Sequence, residues 1–252
     1  MKASGMRTIL GLATLLVASA PAWGQPYPPP GPPPGPPPGA YYHGYAADRF
    51  GELRLWAGGF QPDAHDDYWE NKFRDFSGSR SDLRDVIGGG DFIYHFDRYN
   101  AVMFSASYYG TTIGQSYRNF LDQNNNSIRH NTDYDISSGT VAYLLFPAGT
   151  HTPVIPYLGA GLGFYNWRLR EAGDFIDFDH GNAIFSAVNT DSGTAFGYFF
   201  VAGLELPVTR HLAILVDGRY TKAHDNLRGD FAGFGRLDLS GGQVVGGIAF
   251  HL

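Results

Sequence analysis

TAFGYFFVAGLELPVTRHLAILVDGRYT, the stretch from Thr194 to Thr221, holds two runs in which apolar side chains recur at every second position. In the first run Phe196, Tyr198, Phe200, Ala202 and Leu204 share one face, which puts Glu205 on the other. In the second, Leu212, Ile214, Val216, Gly218 and Tyr220 oppose Ala213, Leu215, Asp217, Arg219 and Thr221. A period of two belongs to a β-strand with unlike faces. The charges fall on one face only, so that face is enclosed while its opposite meets something apolar. Pro207 to His211 leaves room only for a short reversal between the runs.

Working outward, the same alternation returns in six more segments: Glu52 to Phe60, Asp85 to Phe96, Ala101 to Ile113, Tyr134 to Phe146, Val154 to Trp167 and Leu237 to Leu252. With Thr194 to Leu206 and Leu212 to Thr221 they make eight, an even number. In Ala101 to Ile113, Val102, Phe104, Ala106 and Tyr108 share a face that suits lipid; in the last segment Val244, Ile248, Phe250 and Leu252 align. The links alternate in length. Long ones run over Gln61 to Arg84, Gly114 to Asp133, Arg168 to Gly193 and Lys222 to Arg236, short ones over Asp97 to Asn100, Pro147 to Pro153 and Pro207 to His211. Short turns on one side and long loops on the other are the habit of barrels in the bacterial outer membrane. The expected fold is therefore all-β: an eight-stranded antiparallel transmembrane β-barrel over residues 49–252, with both termini in the periplasm.

Bulk composition narrows the field in the same direction. Beyond the N-terminus no apolar run reaches the roughly 18 residues of a spanning helix, so a helical membrane bundle is excluded. Aromatic content of 15% and 34 glycines suit strands and turns better than helices. The net charge is -6, and nucleic acid, which needs a basic footprint, is excluded as a partner. Cysteine is absent, which removes disulfides, thiolate metal sites and N-terminal lipidation through a cysteine.

Residues 1–24 read as a signal peptide, with Lys2 and Arg7 ahead of an apolar core from Ile9 to Ala18 and a cleavage site after Gly24. Residues 25–48 read as a proline- and glycine-rich, disordered periplasmic linker. From Gln25 to Gly39 the repeat of Pro-Pro-Pro-Gly has a glycine period of four, which excludes collagen, and polyproline II geometry would extend that stretch by about 40 Å.

Pro156-Tyr157-Leu158-Gly159-Ala160-Gly161-Leu162-Gly163-Phe164-Tyr165, Asp217-Gly218-Arg219-Tyr220-Thr221 and the ending Gly246-Gly247-Ile248-Ala249-Phe250-His251-Leu252 resemble the small OmpA-like and opacity-type outer-membrane barrel superfamily, over Leu53 to Leu252. The resemblance implies outer-membrane lipid, lipopolysaccharide and the outer-membrane assembly machinery as partners. Such barrels commonly end in a phenylalanine that the assembly machinery reads; this chain ends in Leu252, with Phe250 on the same face. The superfamily is functionally diverse, so the fold does not fix an activity.

Candidate functional residues follow from the faces. Glu52, Arg54, Asp91, Glu205, Asp217 and Arg219 have the parity to point inward, where charges must be paired or hydrated. They form a candidate interior network, either structural or lining a narrow polar conduit. Tyr94, Phe96, Tyr99, Tyr157, Tyr165, Trp167, Tyr220 and Phe250 lie near segment ends and are expected in aromatic girdles at the lipid headgroups, with ordinary core packing as the alternative. His65 beside Asp63, Asp66 and Asp67, and His180 after Asp174, Asp177 and Asp179, are oxygen-rich loop clusters without the spacing of a calcium loop, so no metal is assigned. Ser105, Ser107, Ser137 and Ser138 have no histidine and carboxylate at a spacing that makes a nucleophile, and no catalytic set or cofactor is assigned. Gly88-Gly89-Gly90 and Gly161-Leu162-Gly163 fit bulges or close strand approach better than a phosphate cradle. Phe73, Phe76, Phe120, Phe175, Ile176, Phe178, Phe231 and Phe234 lie in the long links, placed either to recognise a surface ligand or to pack on one another over the barrel mouth.

The leading expectation is a non-enzymatic barrel with a membrane-structural or surface-interaction role through its long loops. The alternatives are a narrow channel for small polar solutes, an outer-leaflet lipid-modifying enzyme, and a soluble lipocalin-like barrel whose apolar face would turn inward.

Overall fold

The structure, a computed structural model, describes residues 50–178 and 180–252. The signal peptide of 1–24, the linker of 25–48 and its boundary with the barrel lie outside the described residues. Nine strands form: β1 (Gly51–Pro62), β2 (Asp85–His95), β3 (Asn100–Leu121), β4 (Ser127–Leu145), β5 (Ile155–Asp177), β6 (Ala183–Pro207), β7 (Leu212–Asn226), β8 (Arg236–Asp238) and β9 (Gly241–His251). One helix, α1 (Asp67–Asp75), lies between β1 and β2. Each neighbour from β1 to β7 pairs antiparallel with the next, β7 pairs with β9, and β9 returns to β1. Eight strands thus close on themselves and leave no edge, the condition a sheet must meet to cross lipid. The three-residue β8 pairs with β7 outside this ring. Leu237, read as the start of the eighth segment, belongs to β8, and the closing strand starts at Gly241.

Alternation sorts the two faces as read. Leu53, Phe104, Tyr143, Leu162, Phe200, Val216 and Ile248 point outward and are exposed, whereas Trp56, Met103, Leu144, Tyr165, Val201, Leu215 and Ala249 point inward and are buried. Along β6 the outward apolar residues run from Phe196 to Leu206. Ten steps at about 3.3 Å, tilted by roughly 40°, give a belt about 25 Å tall. An oily exterior around a charged interior is the reverse of a lipocalin-like barrel. Phe250 and Leu252 both face outward at the end of the chain.

Three expectations are corrected. Gly114 to Asp133 and Arg168 to Gly193 are mostly strand, not loop: β3 and β4 run on to a turn at 122–126, while β5 continues to Asp177 and β6 begins at Ala183. Apolar alternation stops above the belt because both faces become polar there. Gln115, Thr132, Glu171 and Asp191 are buried inside, while Asp133 and Asp135 on β4 face Arg170 and Arg168 on β5 across the outer surface, with ion-pair distances of 2.9 and 2.8 Å. Cross-strand pairs of opposite charge hold a sheet in water as greasy pairs hold it in lipid.

The link from Gln61 to Arg84 contains α1 and a 3-10 turn at Arg80–Leu83. Tyr68, Trp69 and Lys72 share the helix's buried face, and acidic residues sit in its first turn and basic ones in its last, as the helix dipole favours. Third, Tyr157, Tyr165 and Trp167 are not in a girdle; they are buried in the lumen. Their odd numbers put them opposite the exposed Leu158, Leu162 and Phe164, and parity outranks position along a strand. Tyr94, Phe96, Tyr99, Tyr220 and Phe250 are exposed on the outside as expected.

Large lumenal rings fit because glycines face them. A Cβ on Gly89 would lie 2.6 Å from the Trp56 indole, and one on Gly203 would lie 2.7 Å from the Tyr157 ring. Gly89 therefore serves close packing, as read for its glycine run. A void of about 40 Å³ remains inside, lined in part by Ser105, Ser107, Ser138 and Arg219, which is room for a water or two.

Candidate functional site

All six charged residues assigned to the interior are buried there. Arg54 on β1 pairs with Glu52 two residues earlier and donates from Nη2 to Glu205 Oε2 at 3.0 Å, three strands around the ring. Arg219 on β7 reaches Asp91 on β2, also three strands away, with Nη2 to Oδ2 at 2.8 Å and Nη1 to Oδ1 at 3.2 Å. It also donates from Nε to Asp217 Oδ1 at 2.9 Å. Each guanidinium bridges two carboxylates across the bore. Tyr157 links the halves: its hydroxyl donates to Asp217 at 2.8 Å, and Arg54 lies 4.5 Å from its ring centroid. The Trp56 indole donates to Asp91 at 2.9 Å under the Arg219 guanidinium.

Two histidines missed in the sequence complete the network. His95 Nε2 lies 3.4 Å from Glu52 and His251 Nε2 lies 2.8 Å from Glu205. Parity would have found both, because His95 shares the face of Asp91, and His251 lies opposite the outward Phe250. Glu52, Glu205 and His251 gather as metal ligands would, but the Arg54 guanidinium already holds the positive position between the two glutamates. Of the four serines, Ser107 and Ser138 bond one another at 2.7 Å, Ser105 accepts from Arg219, and Ser137 points outward.

At the loop end, His65 groups with Asp63 as read, but the second carboxylate is Asp238 from the last loop rather than Asp66 or Asp67. Asp63 accepts from the Tyr220 hydroxyl, and Asp238 accepts the backbone N–H groups of His65 and Ser240, so these carboxylates fasten loops. His180 contacts Asp177 at 2.8 Å, while Asp174 accepts from Ser186; Asp179 lies outside the described residues.

α1 packs into the barrel core above the belt. Trp69 is fully buried, edge-on to Tyr134 and stacked on Phe73, and the Tyr134 hydroxyl donates to the Asp238 carbonyl at 3.0 Å. Beside it lies a second buried charged group. The Lys72 ammonium pairs with Glu171 Oε1, lies 2.7 Å from His130 Nε2, and sits 4.5 Å from the Phe76 ring centroid. Tyr68 donates to the same Glu171 oxygen. Burial pulls the Lys72 pKa below its ordinary value, against the opposing pull of Glu171. Burial and the adjacent ammonium push His130 down to about 4, so near pH 7 its ring is neutral and Nε2 accepts from Lys72. Burial and the Glu171 charge hold the Tyr68 hydroxyl well above its ordinary range, which keeps it a donor. Lys72, His130 and Glu171 come from chain positions 58 and 99 residues apart, and no local spacing announces them.

This group floors a cleft of about 460 Å³. Phe76, Phe120, Phe175, Ile176, Phe178, Phe231 and Phe234, all singled out in the long links, line it together with Tyr117 and Phe185. They pack on one another, which is one of the two expectations for them, and leave a lined space. Phe73 is the exception, stacked against Trp69.

A closed ring with an apolar belt outside and paired charges inside defines a transmembrane β-barrel. The chain belongs to the outer membrane protein β-barrel domain family, which it matches over residues 50–236, and so to the bacterial outer membrane. No curated protein matches it. Similar solved structures include OprG of Pseudomonas aeruginosa, at 14% identity over 82% of this chain and 98% of that chain with a TM-score of 0.48. Neisserial surface protein A is 14% identical over 82% and 99%, with a TM-score of 0.44. The N-terminal β-barrel domain of Pseudomonas aeruginosa OprF is 11% identical over 82% and 100%, with a TM-score of 0.40.

Proposed function

We propose that this is a non-enzymatic outer-membrane barrel that works at its loop end, as a surface-recognition protein on a sealed scaffold. One observation carries the reading: the lumen is crossed by two guanidinium bridges and capped by α1, whereas a lined space of about 460 Å³ lies among the extended strands above the belt. Both termini and the short turns are periplasmic, the extended strands are extracellular, and the belt meets outer-membrane lipid and lipopolysaccharide after insertion by the assembly machinery.

The absence of native cysteine makes the topology testable. Asn124→Cys, in the turn between β3 and β4, should react with a membrane-impermeant maleimide on intact cells, while Thr209→Cys, in the turn between β6 and β7, should react only after lysis. The opposite pattern overturns the orientation. Refolded protein in a planar bilayer should give no conductance steps beside a working porin control; regular steps would replace the sealed scaffold with a channel.

A further inference from the structure

We propose that the loop-end cleft binds an organic cation, a protonated amine carried on an apolar body. This rests on the loop end being the working face of the protein.

The walls exclude most other ligands. Phe76, Tyr117, Phe175, Phe178, Phe231 and Phe234 surround the space, and a volume of about 460 Å³ falls within the range of small-molecule sites. An apolar body is therefore required to fill it. Aromatic faces attract cations and repel anions, which sets a first preference for charge.

The floor sets a second. Glu171 is more than nine-tenths buried and lines the cleft, yet both of its hydrogen bonds, from Tyr68 and Lys72, go to Oε1. Among the described residues nothing donates to Oε2. Lys72 offers an anion little in return: its ammonium is engaged by Glu171, His130 and the face of Phe76, one partner for each N–H. A ligand carboxylate would meet no free donor on Lys72 and a repelling carboxylate beside it. A ligand ammonium finds an open acceptor able to form a charge-assisted hydrogen bond. Asp230 on the lining brings the formal charge of the cleft, with Glu171 and Lys72, to two negative against one positive, while Asp75 is paired with Arg74 through both carboxylate oxygens. Asn71, Asn119 and Asn189 suit either sign and do not alter the preference.

The experiment compares three probes of nearly equal shape, 1-naphthylmethylamine, 1-naphthylmethanol and 1-naphthoate, by calorimetric titration into the full chain refolded in maltoside micelles near pH 7. The amine should bind about tenfold more tightly than the alcohol, and naphthoate should bind most weakly. Glu171→Gln should erase most of the advantage of the amine over the alcohol. Because that change leaves Lys72 without its counter-charge, Phe178→Ala provides a second variant at an exposed ring. It should weaken amine and alcohol together by several-fold and leave their ratio unchanged. Naphthoate binding as tightly as the amine, or no heat from the amine at all, overturns the inference. The cysteine-labelling pattern is read independently, so a failed ligand with correct labelling overturns only the cleft, and reversed labelling overturns the surface reading itself.

Discussion

Two buried charged groups sit one above the other in this molecule and are built on opposite plans. In the lumen, two guanidiniums meet four carboxylates, two imidazoles cap the glutamates, and rings from Trp56 and Tyr157 cover the rest. At the loop end, one ammonium is shared among a carboxylate, an imidazole and a ring, and that carboxylate, both of whose hydrogen bonds go to one oxygen, lines an aromatic cleft. The lumenal group joins strands that are already fixed in a ring, so its bonds run across the bore and tie distant strands together. The upper group joins α1 to two strand extensions, where packing is local and the polar atoms are not all consumed. Charge bridged across the bore marks the structural region, and a carboxylate beside open volume marks the region fitted for a ligand.

The sharpest way to break this distinction is to remove one cation from each group. Arg219→Met strands Asp91 and Asp217 without a counter-charge inside the barrel, and removing one partner of a buried pair costs about 3–5 kcal/mol. The whole barrel should lose stability, seen as a lower urea midpoint and loss of the heat-modifiable gel shift at milder temperature. Lys72→Met should leave that midpoint nearly unchanged and expose only α1 and the neighbouring turns to protease. A global loss from Lys72→Met equal to that from Arg219→Met would show that the two regions are one structural unit.

Acid tests the upper group alone. The folded pKa of His130, about 4, lies below its ordinary value of 6.5, so the opened cap takes up a proton before the closed one does. The resulting stability is present above about pH 6.5 and is lost as pH falls towards 4; by pH 4.5 the loss amounts to roughly 2–3 kcal/mol at about 1.4 kcal/mol per unit. Hydrogen exchange of the α1 amides, corrected at each pH for intrinsic rates, should accelerate by more than tenfold between pH 7 and 4.5. His130→Gln should flatten that dependence. Equal protection at both pH values in the native chain would remove His130 from the account of the cap.

The contrast also separates what could be read in the sequence from what could not. Strands inside the belt were legible because lipid on one side and a packed lumen on the other force a two-faced alternation, and the same parity turned Glu52, Arg54, Asp91, Glu205, Asp217 and Arg219 inward. It carried no information on who pairs with whom, since Arg54 lies opposite Asp91 in the strand register yet bonds Glu52 and Glu205. Above the belt water replaces lipid, so Asp133 and Arg170 outside and Thr132 and Glu171 inside are all polar and the alternation disappears while the strand continues. α1 was hidden for a related reason: one buried face spread over nine residues is a weak signal inside a polar link. The aromatic loop residues were visible singly, but their convergence on one cleft depends on strand extensions that the sequence had presented as loops.

Those extensions supply the smallest test. Arg168 and Asp135 face each other in register just above the belt, 2.8 Å apart, with Arg168 61% exposed. An exposed pair of this kind gives about 0–1 kcal/mol, because water screens the attraction and two side chains lose freedom to form it. Arg168→Ala should therefore shift the urea midpoint by less than a tenth of the total and leave α1 exchange unchanged, at both low and high salt. A loss as large as that from Arg219→Met would mean that the outer ion pairs, rather than the buried bridges, hold the upper strands in register. The line between a bridged scaffold below and an adaptable site above would then have to be redrawn at the outer surface of the sheet.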